Sequence, residues 1–378
     1  QVMRLFRKIF AAAAAVLAAL LVALPASAAE TPSVSAQAAV LYDPLSGAVL
    51  YEKNGGEVLP MASTTKIMTA LLAFESGQAD AVVEVTPEMV AVEGSSMGLA
   101  AGDRLTLGSI ARGMMMASGN DGANAIALFL GGSAEGFASL MNARAAEIGM
   151  ENTRFVTPSG LVAEGHGTTA YEMALLGAEA MRCADFAETV GAVSQTVEFL
   201  SPEKTVRYDN HNRLLQLYSD CTGIKTGFTK KAGRCLVSSA ERGGAQLICV
   251  TLNAPDDWND HIALFEYGFS QLETRAITPD GTLYAVPVVG GAASSVVCRA
   301  EGEASATLYR DAALTASVSL PRFVYAPLEA GAQVGCVTYS VNGSVVAELP
   351  IVAAADVTPA EDTRSDFQKW LDRLRRPA

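Results

Sequence analysis

The sequence predicts an α/β layered domain followed by a small all-β domain. Three observations carry that expectation. Strand-like runs appear early, at "AAVLYDPLSGAVLYEKN" (residues 38–54), and return at "CTGIKTGFTKKAGRCLVSSAERGGAQLICVTLN" (221–253), so the two ends of a first domain share one sheet. Between them, from Ile110 to Leu130 and from Ala134 to Met150, the apolar spacing is helical and rich in Ala, Met and Leu, which describes an all-helical subdomain. From Leu283 to Ala355 the texture changes to short β-rich segments punctuated by Gly, Pro and Asn. With 378 residues, 50% of them hydrophobic, the chain can bury a core large enough for both.

Taken in order, the first element is a leader. Arg4, Arg7 and Lys8 form a basic start, Ile9 to Leu24 is an apolar run, and Pro25-Ala26-Ser27-Ala28 ends in a small-residue cleavage pattern. Residues 1–28 are read as a signal peptide and the mature protein as exported, to the outer face of the cytoplasmic membrane. An uncleaved anchor is the alternative, against which the apolar run is short for a span. The turn Asp43-Pro44-Leu45-Ser46-Gly47 then joins two strands. Ser63 opens a helix, for which it is a good N-cap. The first domain is placed at 31–274 and the β-rich one at 276–356, with 357–363 a polar linker to a helix at 364–376.

That last helix has two faces. Phe367, Trp370, Leu371 and Leu374 fall at i, i+3, i+4 and i+7, while Arg364, Lys369, Arg373, Arg375 and Arg376 outweigh Asp366 and Asp372. An apolar face carrying Trp beside a basic flank suits an anionic membrane surface as a peripheral anchor. Docking on the protein itself is the ordinary alternative, and the linker weighs against it.

Composition excludes other classes. The formal net charge of −13 deepens to about −16 once the three basic leader residues are removed, which argues against nucleic acid as a partner. Cys183, Cys221, Cys235, Cys249, Cys298 and Cys336 are spaced too irregularly for a disulfide framework; Cys235 and Cys249 could face one another across a hairpin or equally be buried free thiols. His166, His211 and His261 stand far apart with no ligand spacing, so no metal and no cofactor is expected.

Three short motifs carry the chemistry. "MASTTKIMTA" puts Ser63 three residues before Lys66, on one helical face; alone it could be a helix start, and "SPEK" at 201–204 fits the same spacing in a charged stretch. "MMMASGNDG" places Ser118-Gly119-Asn120 in a break between helical runs, where Asn120 or Asp121 could simply cap the second helix. "GIKTGFT" places Lys225-Thr226-Gly227 on a strand, alone no more than a strand end with an exposed lysine. Together, in this order, they form the Ser-x-x-Lys, Ser-x-Asn, Lys-Thr-Gly set of penicillin-binding proteins and β-lactamases.

The chain therefore resembles the low-molecular-mass penicillin-binding proteins, the serine-type D-alanyl-D-alanine carboxypeptidases. The resemblance extends to "LYDPLSGAVLYEKN", "NTRFVTPSGL", the β-rich second domain and the amphipathic tail, nearly the whole mature chain. It implies an antiparallel sheet with helices in the α+β fold shared by DD-peptidases and β-lactamases. Serine is a poor nucleophile at neutral pH, so Ser63 needs Lys66 as its base, and Lys66 can act only if burial or a neighbouring charge such as Lys225 lowers its pKa. The resemblance implies that Ser118 relays the proton to the leaving amine and that Asn120 orients Lys66 and the substrate amide. The oxyanion hole would be the Ser63 N–H, at a helix start, and the Phe228 N–H. Gly227 would let a substrate strand approach, Thr226 would donate to the terminal carboxylate, and Lys225 would attract it. Expected partners are peptidoglycan stem peptides and β-lactams, which would arrest the enzyme as an acyl-enzyme.

Departures mark where the resemblance is weaker. Phe228 stands where many relatives carry His, and Arg234 where they carry Tyr. An arginine common after the second strand is missing from "APDDWNDH" (254–261). Arg234 is the candidate to stand in for it, but an outward-facing strand residue is the simpler expectation. A class A β-lactamase would need a deacylating Glu that the motifs here do not supply. A D,D-endopeptidase on cross-links and an idle wall-bound scaffold of the same fold are the remaining alternatives.

Overall fold

The computed structural model describes residues 30–361 together with Ser365, Phe367 and Gln368. The leader at 1–28 and, those three residues apart, the tail at 364–376 lie outside the described residues.

Alternation of core residues along the strands builds a sheet buried on both faces. Strands β1 (Ala38–Asp43), β2 (Ala48–Lys53), β7 (Cys221–Thr229), β8 (Gly233–Arg242) and β9 (Ala245–Leu252) form it in the order β2-β1-β9-β8-β7, antiparallel throughout. Val40, Val237, Ile248 and Val250 point into one apolar cluster, and Ala39, Leu41, Leu236, Leu247 and Cys249 into another. With both faces covered, β9 has no polar face to show, which explains its unbroken run "LICVTL". The β1–β2 turn is pinned by Asp43, whose carboxylate accepts from Leu45 N and Ser46 Oγ.

The first cluster is roofed by helices α1 (Lys66–Glu75), α3 (Leu107–Ala117), α4 (Asn120–Gly131), α5 (Ala134–Ile148), α6 (Ala170–Met181) and α7 (Ala184–Gly191), with a short α2 (Pro87–Val90) at the rim. The second is covered by α9 (Asp257–Phe269), beside the one-turn α8 (Leu214–Leu217). Two small ribbons, β3–β4 (Val82–Glu84, Arg104–Thr106) and β5–β6 (Ser194–Leu200, Glu203–Asp209), flank the helices. The second Ser-x-x-Lys spans the turn of that second ribbon, Ser201 in the turn and Lys204 on β6, where Lys204 pairs with Asp103.

Beyond α9, the described residues from Leu272 to Ala353 form only strands and their connections. Strands β11, β12, β14, β15, β16 and β17 (Leu283–Val289, Ser295–Ala300, Leu314–Ser319, Val324–Tyr325, Gln333–Val341, Ser344–Ala353) make a six-stranded sheet, and β10 (Leu272–Ile277) pairs with β13 (Ala304–Tyr309). Val286, Val296, Cys298, Val337, Leu349 and Ile351 form its core. Leu45 from the β1–β2 turn packs with Leu308, Ala312 and Val341, joining the two parts.

Of the two arrangements open to Cys235 and Cys249, buried free thiols hold: Cys249 lies opposite Ser238, not Cys235, because the β8–β9 register places Cys235 toward the helical face and Cys249 toward the other, and all six cysteines are free thiols. Contrary to expectation, Ser63 is not an N-cap. It sits inside a 3-10 turn (Ala62–Thr65) that runs directly into α1, and no side chain caps either helix start.

Candidate active site

Ser63 stands where the helical layer meets the edge strand β7. Ala62, immediately before it, takes a left-handed φ of 47°, a conformation that non-glycine residues adopt only where packing holds them. Gly160 supplies part of that packing, for a Cβ there would fall 1.8 Å from Ala62 O. Thr65 ties the turn further, its hydroxyl donating to Ala62 O and meeting His166 Nε2 at 2.9 Å.

Lys66 follows on the same face and is fully buried. Its Nζ donates to Ser63 Oγ (3.1 Å), Asn120 Oδ1 (2.7 Å) and the Ser159 carbonyl (2.8 Å), so all three protons of an ammonium are engaged. Burial holds this amine well below the ordinary lysine value, and the Lys225 charge pushes the same way. A neutral amine keeps two donors for Asn120 and Ser159 and turns its lone pair to Ser63 Oγ–H. That is the geometry of a base waiting on a nucleophile.

The second motif lies in a sharp turn. α3, capped at its start by Thr106 Oγ1, ends on Ser118 in a left-handed conformation (φ 55°), and α4 begins two residues later at Asn120. Neither Asn120 nor Asp121 caps α4, whose N-cap is Gly119. Asn120 spans the site: Oδ1 accepts from Lys66, while Nδ2 donates to Glu93 O at 2.7 Å. Its amide is thus partly committed to the protein rather than left for substrate. Asp121 is 2% exposed and organises the loop before it, accepting from Ser96 Oγ, Met97 N, Gly98 N and Leu99 N. Ser118 Oγ has no hydrogen-bond partner among the described residues.

On β7, Lys225 is 2% exposed, not the free lysine of an exposed strand end. Its Nζ donates to Thr226 O at 2.9 Å, and burial lowers its pKa to about 7. Gly227 is required by the fold before any substrate arrives, because a Cβ there would sit 2.9 Å from Ser63 N and 3.1 Å from both Met61 O and Thr64 N. The strand and the nucleophile turn touch backbone to backbone. β7 is the sheet edge, so its outward N–H and C=O groups are free to pair with an extended chain.

A cleft of ≈ 290 Å³ opens over this junction, lined by Ser63, Ser95, Ser118, His211, Thr226, Gly227, Phe228, Arg234, Asp257 and Trp258. The structure therefore brings Ser63, Lys66 and Asn120 into direct contact and gathers Ser118, Thr226, Gly227 and Phe228 around the same opening, with Lys225 buried beside it. Arg234, expected to face outward, turns into the cleft: Nε and Nη2 donate to Asp257 Oδ1 at 3.0 and 2.7 Å, and its plane lies over Trp258. Ser159, Asp257 and Trp258 were not singled out from the sequence, where Asp121 was considered only as a helix cap and His166 only as a metal ligand. Ser159 acts through a backbone carbonyl, which no side-chain pattern announces.

Sheet, helical roof and a serine in contact with a buried lysine define the class, a serine hydrolase. Residues 25–256 match the D-alanyl-D-alanine carboxypeptidase family, and residues 273–359 the C-terminal domain of penicillin-binding protein 5. The chain belongs to the D-alanyl-D-alanine carboxypeptidase family. It is 36% identical over 348 residues to D-alanyl-D-alanine carboxypeptidase DacC of Escherichia coli, covering 87% of this chain and 86% of that one. With DacF of Bacillus subtilis, also a D-alanyl-D-alanine carboxypeptidase, identity is 31% over 343 residues, 86% of each. Penicillin binding protein 5 from Haemophilus influenzae superposes with a TM-score of 0.61 at 27% identity, over 87% of this chain and 99% of that structure.

Proposed function

We propose that this protein removes the terminal D-alanine from peptidoglycan stem pentapeptides through an acyl-enzyme on Ser63, and that β-lactams trap it at that ester. The observation that carries the reading is Lys66: a buried amine with its pKa pushed down, in contact with Ser63 Oγ. Lys66 takes the Ser63 proton as Oγ attacks the carbonyl of the penultimate D-alanine. The negative oxygen is received by the N–H groups of Ser63 and Phe228, each such donor being worth ~3 to 4 kcal/mol in the transition state. Collapse breaks the C–N bond, and the proton passes from Lys66 through Ser118 Oγ to the departing amine. Water activated by the same lysine then hydrolyses the ester. Thr226 Oγ1 and the buried charge of Lys225 favour the substrate's terminal carboxylate.

Its test is D-alanine release from diacetyl-Lys-D-Ala-D-Ala by the purified protein, with Ser63→Ala alongside. Release by the wild type alone supports the reading. Silence from both, with covalent penicillin labelling retained, would turn it toward the endopeptidase; without labelling, toward a scaffold.

On location, the family is consistent with an exported wall enzyme, and the finer proposal is a peripheral anchor. It rests on the sequence pattern of 364–376, an apolar face with Trp370 and a basic flank. Domains at 31–274 and 276–356 with a linker at 357–363 complete it. Deleting residues 362–378 should release the processed protein from membranes; a truncated protein that still pellets with them would defeat the proposal.

A further inference from the structure

We infer that Arg234, braced by Asp257 and Trp258, is the group that recognises the free α-carboxylate of the departing D-alanine. The inference rests on the carboxypeptidase reading and adds to it the specificity-determining cation.

The positive groups near Ser63 differ in what they offer a ligand. Lys66 is fully buried with all three donors engaged, and Lys225 is 2% exposed with Nζ turned onto Thr226 O; neither lines the cleft. His211 does line it, but burial and the Lys225 charge lower its pKa and so disfavour its charged form. Arg234 both lines the cleft and leaves its side chain 42% exposed. Among the described residues it is the cation whose donors a substrate can reach.

Its position follows from register. Arg234 lies directly opposite Phe228 in the β7–β8 pairing, and paired residues project from the same face, so guanidinium and Phe228 share the cleft beside Gly227. Both of its protein contacts fall on one oxygen, Asp257 Oδ1, from Nε and Nη2. Nη1 has no hydrogen bond among the described residues. Asp257, 2% exposed at the first turn of α9, and the Trp258 ring fix the guanidinium plane before any ligand arrives. The long side chain has thus already lost its rotamer freedom, and its outer edge, Nη1 with the second Nη2 proton, presents two parallel donors of the spacing a carboxylate accepts. An ion pair built only to tie β8 to α9 would need neither the open edge nor the place in the lining.

The experiment compares diacetyl-Lys-D-Ala-D-Ala with its C-terminal amide, which leaves as D-alaninamide, for wild type, Arg234→Gln and Arg234→Lys. Wild type should prefer the acid in kcat/KM. Arg234→Gln should lose ~10- to 100-fold on the acid, the weight of a charge-assisted hydrogen-bond pair, while the amide changes by less than about 3-fold, so that the preference collapses. Arg234→Lys, which keeps the charge and loses the fork, should fall between. A structural ion pair would lower both substrates together, and a Gln variant that kept the wild-type acid preference would overturn the inference while leaving the carboxypeptidase standing. Should the Gln variant fail to fold, the Lys variant decides: an unchanged preference overturns the inference, a reduced one supports it. A wild type inert toward both substrates would remove the carboxypeptidase reading and the inference with it.

Discussion

Replacing Lys225 with methionine should stabilise this protein and disable it. The side chain is buried, its one polar contact is the Thr226 carbonyl, and its pKa is held at about 7 against an ordinary 10.5. In the unfolded chain the amine keeps its proton up to 10.5, so between pH 7 and 10.5 the unfolded state binds more protons and stability rises with pH. Below about 7 the full cost of the buried charge is present. At ~1.36 kcal/mol per pH unit, that gap places the cost on the order of 4 kcal/mol at pH 7. Methionine matches the length and carries no charge, so Lys225→Met should recover a large part of it, as a higher denaturant midpoint at pH 7 with unchanged m. Repeating the measurement from pH 7 to 10 separates this from a packing effect. The advantage of the variant should shrink as pH rises, because the wild type sheds its penalty over that window while the other titrating groups are common to both. D-alanine release should fall at the same time. A variant no more stable than wild type at pH 7, or one whose advantage does not change with pH, would refute the argument.

The same buried amine shapes the pH profile of the free enzyme. With Lys66 needed neutral and Lys225 needed charged, kcat/KM on the carboxylate peptide should decline above about pH 7, more steeply than on an uncharged ester substrate, as stopped-time assays across pH would register. Gly227→Ala drives a Cβ against the Ser63 and Thr64 nitrogens and Met61 O, backbone atoms that cannot swing aside. Penicillin acylation should slow by roughly 100-fold, the order expected for a misplaced reacting atom, in a protein that still folds. Asp121→Asn turns amide protons toward the backbone N–H groups of the 97–99 loop and should cost roughly 2–3 kcal/mol in thermal or denaturant unfolding. Reaction rate should drop with it, since that loop adjoins Ser95 and Glu93, which hold Asn120.

Side-chain chemistry was legible in the sequence where several short patterns had to agree. Ser63 with Lys66, the Ser118-Gly119-Asn120 break and Lys225-Thr226-Gly227 each have an ordinary explanation, yet their order and the strand-helix-strand texture around them pointed to one sheet and one cleft. What stayed hidden depends on register or backbone. Cys235 and Cys249 are neighbours in a hairpin by sequence, but Cys249 pairs with Ser238, an odd number of residues from Cys235, and that sends the two to opposite faces. Arg234 reads as solvent-facing until α9 brings Asp257 beneath it. The apparent N-cap at Ser63 vanished because the left-handed Ala62 places a 3-10 turn where a capped helix start was expected. Gly227 looked like an allowance for substrate, and the space it leaves is filled by the nucleophile's own backbone.

The sheet order has a consequence for how the enzyme comes into being. β1 is an inner strand whose partner β9 lies about 210 residues away along the chain, Val40 standing opposite Val250. Closing so long a loop is a late and slow event, since its entropy must be spent before the pairing rewards it. β7 reaches β1 only through β8 and β9, and the Ser63 turn is seated against β7. Competence to react with penicillin therefore arises with the last long-range pairing, and the time course of acylation during refolding is a clock for sheet completion.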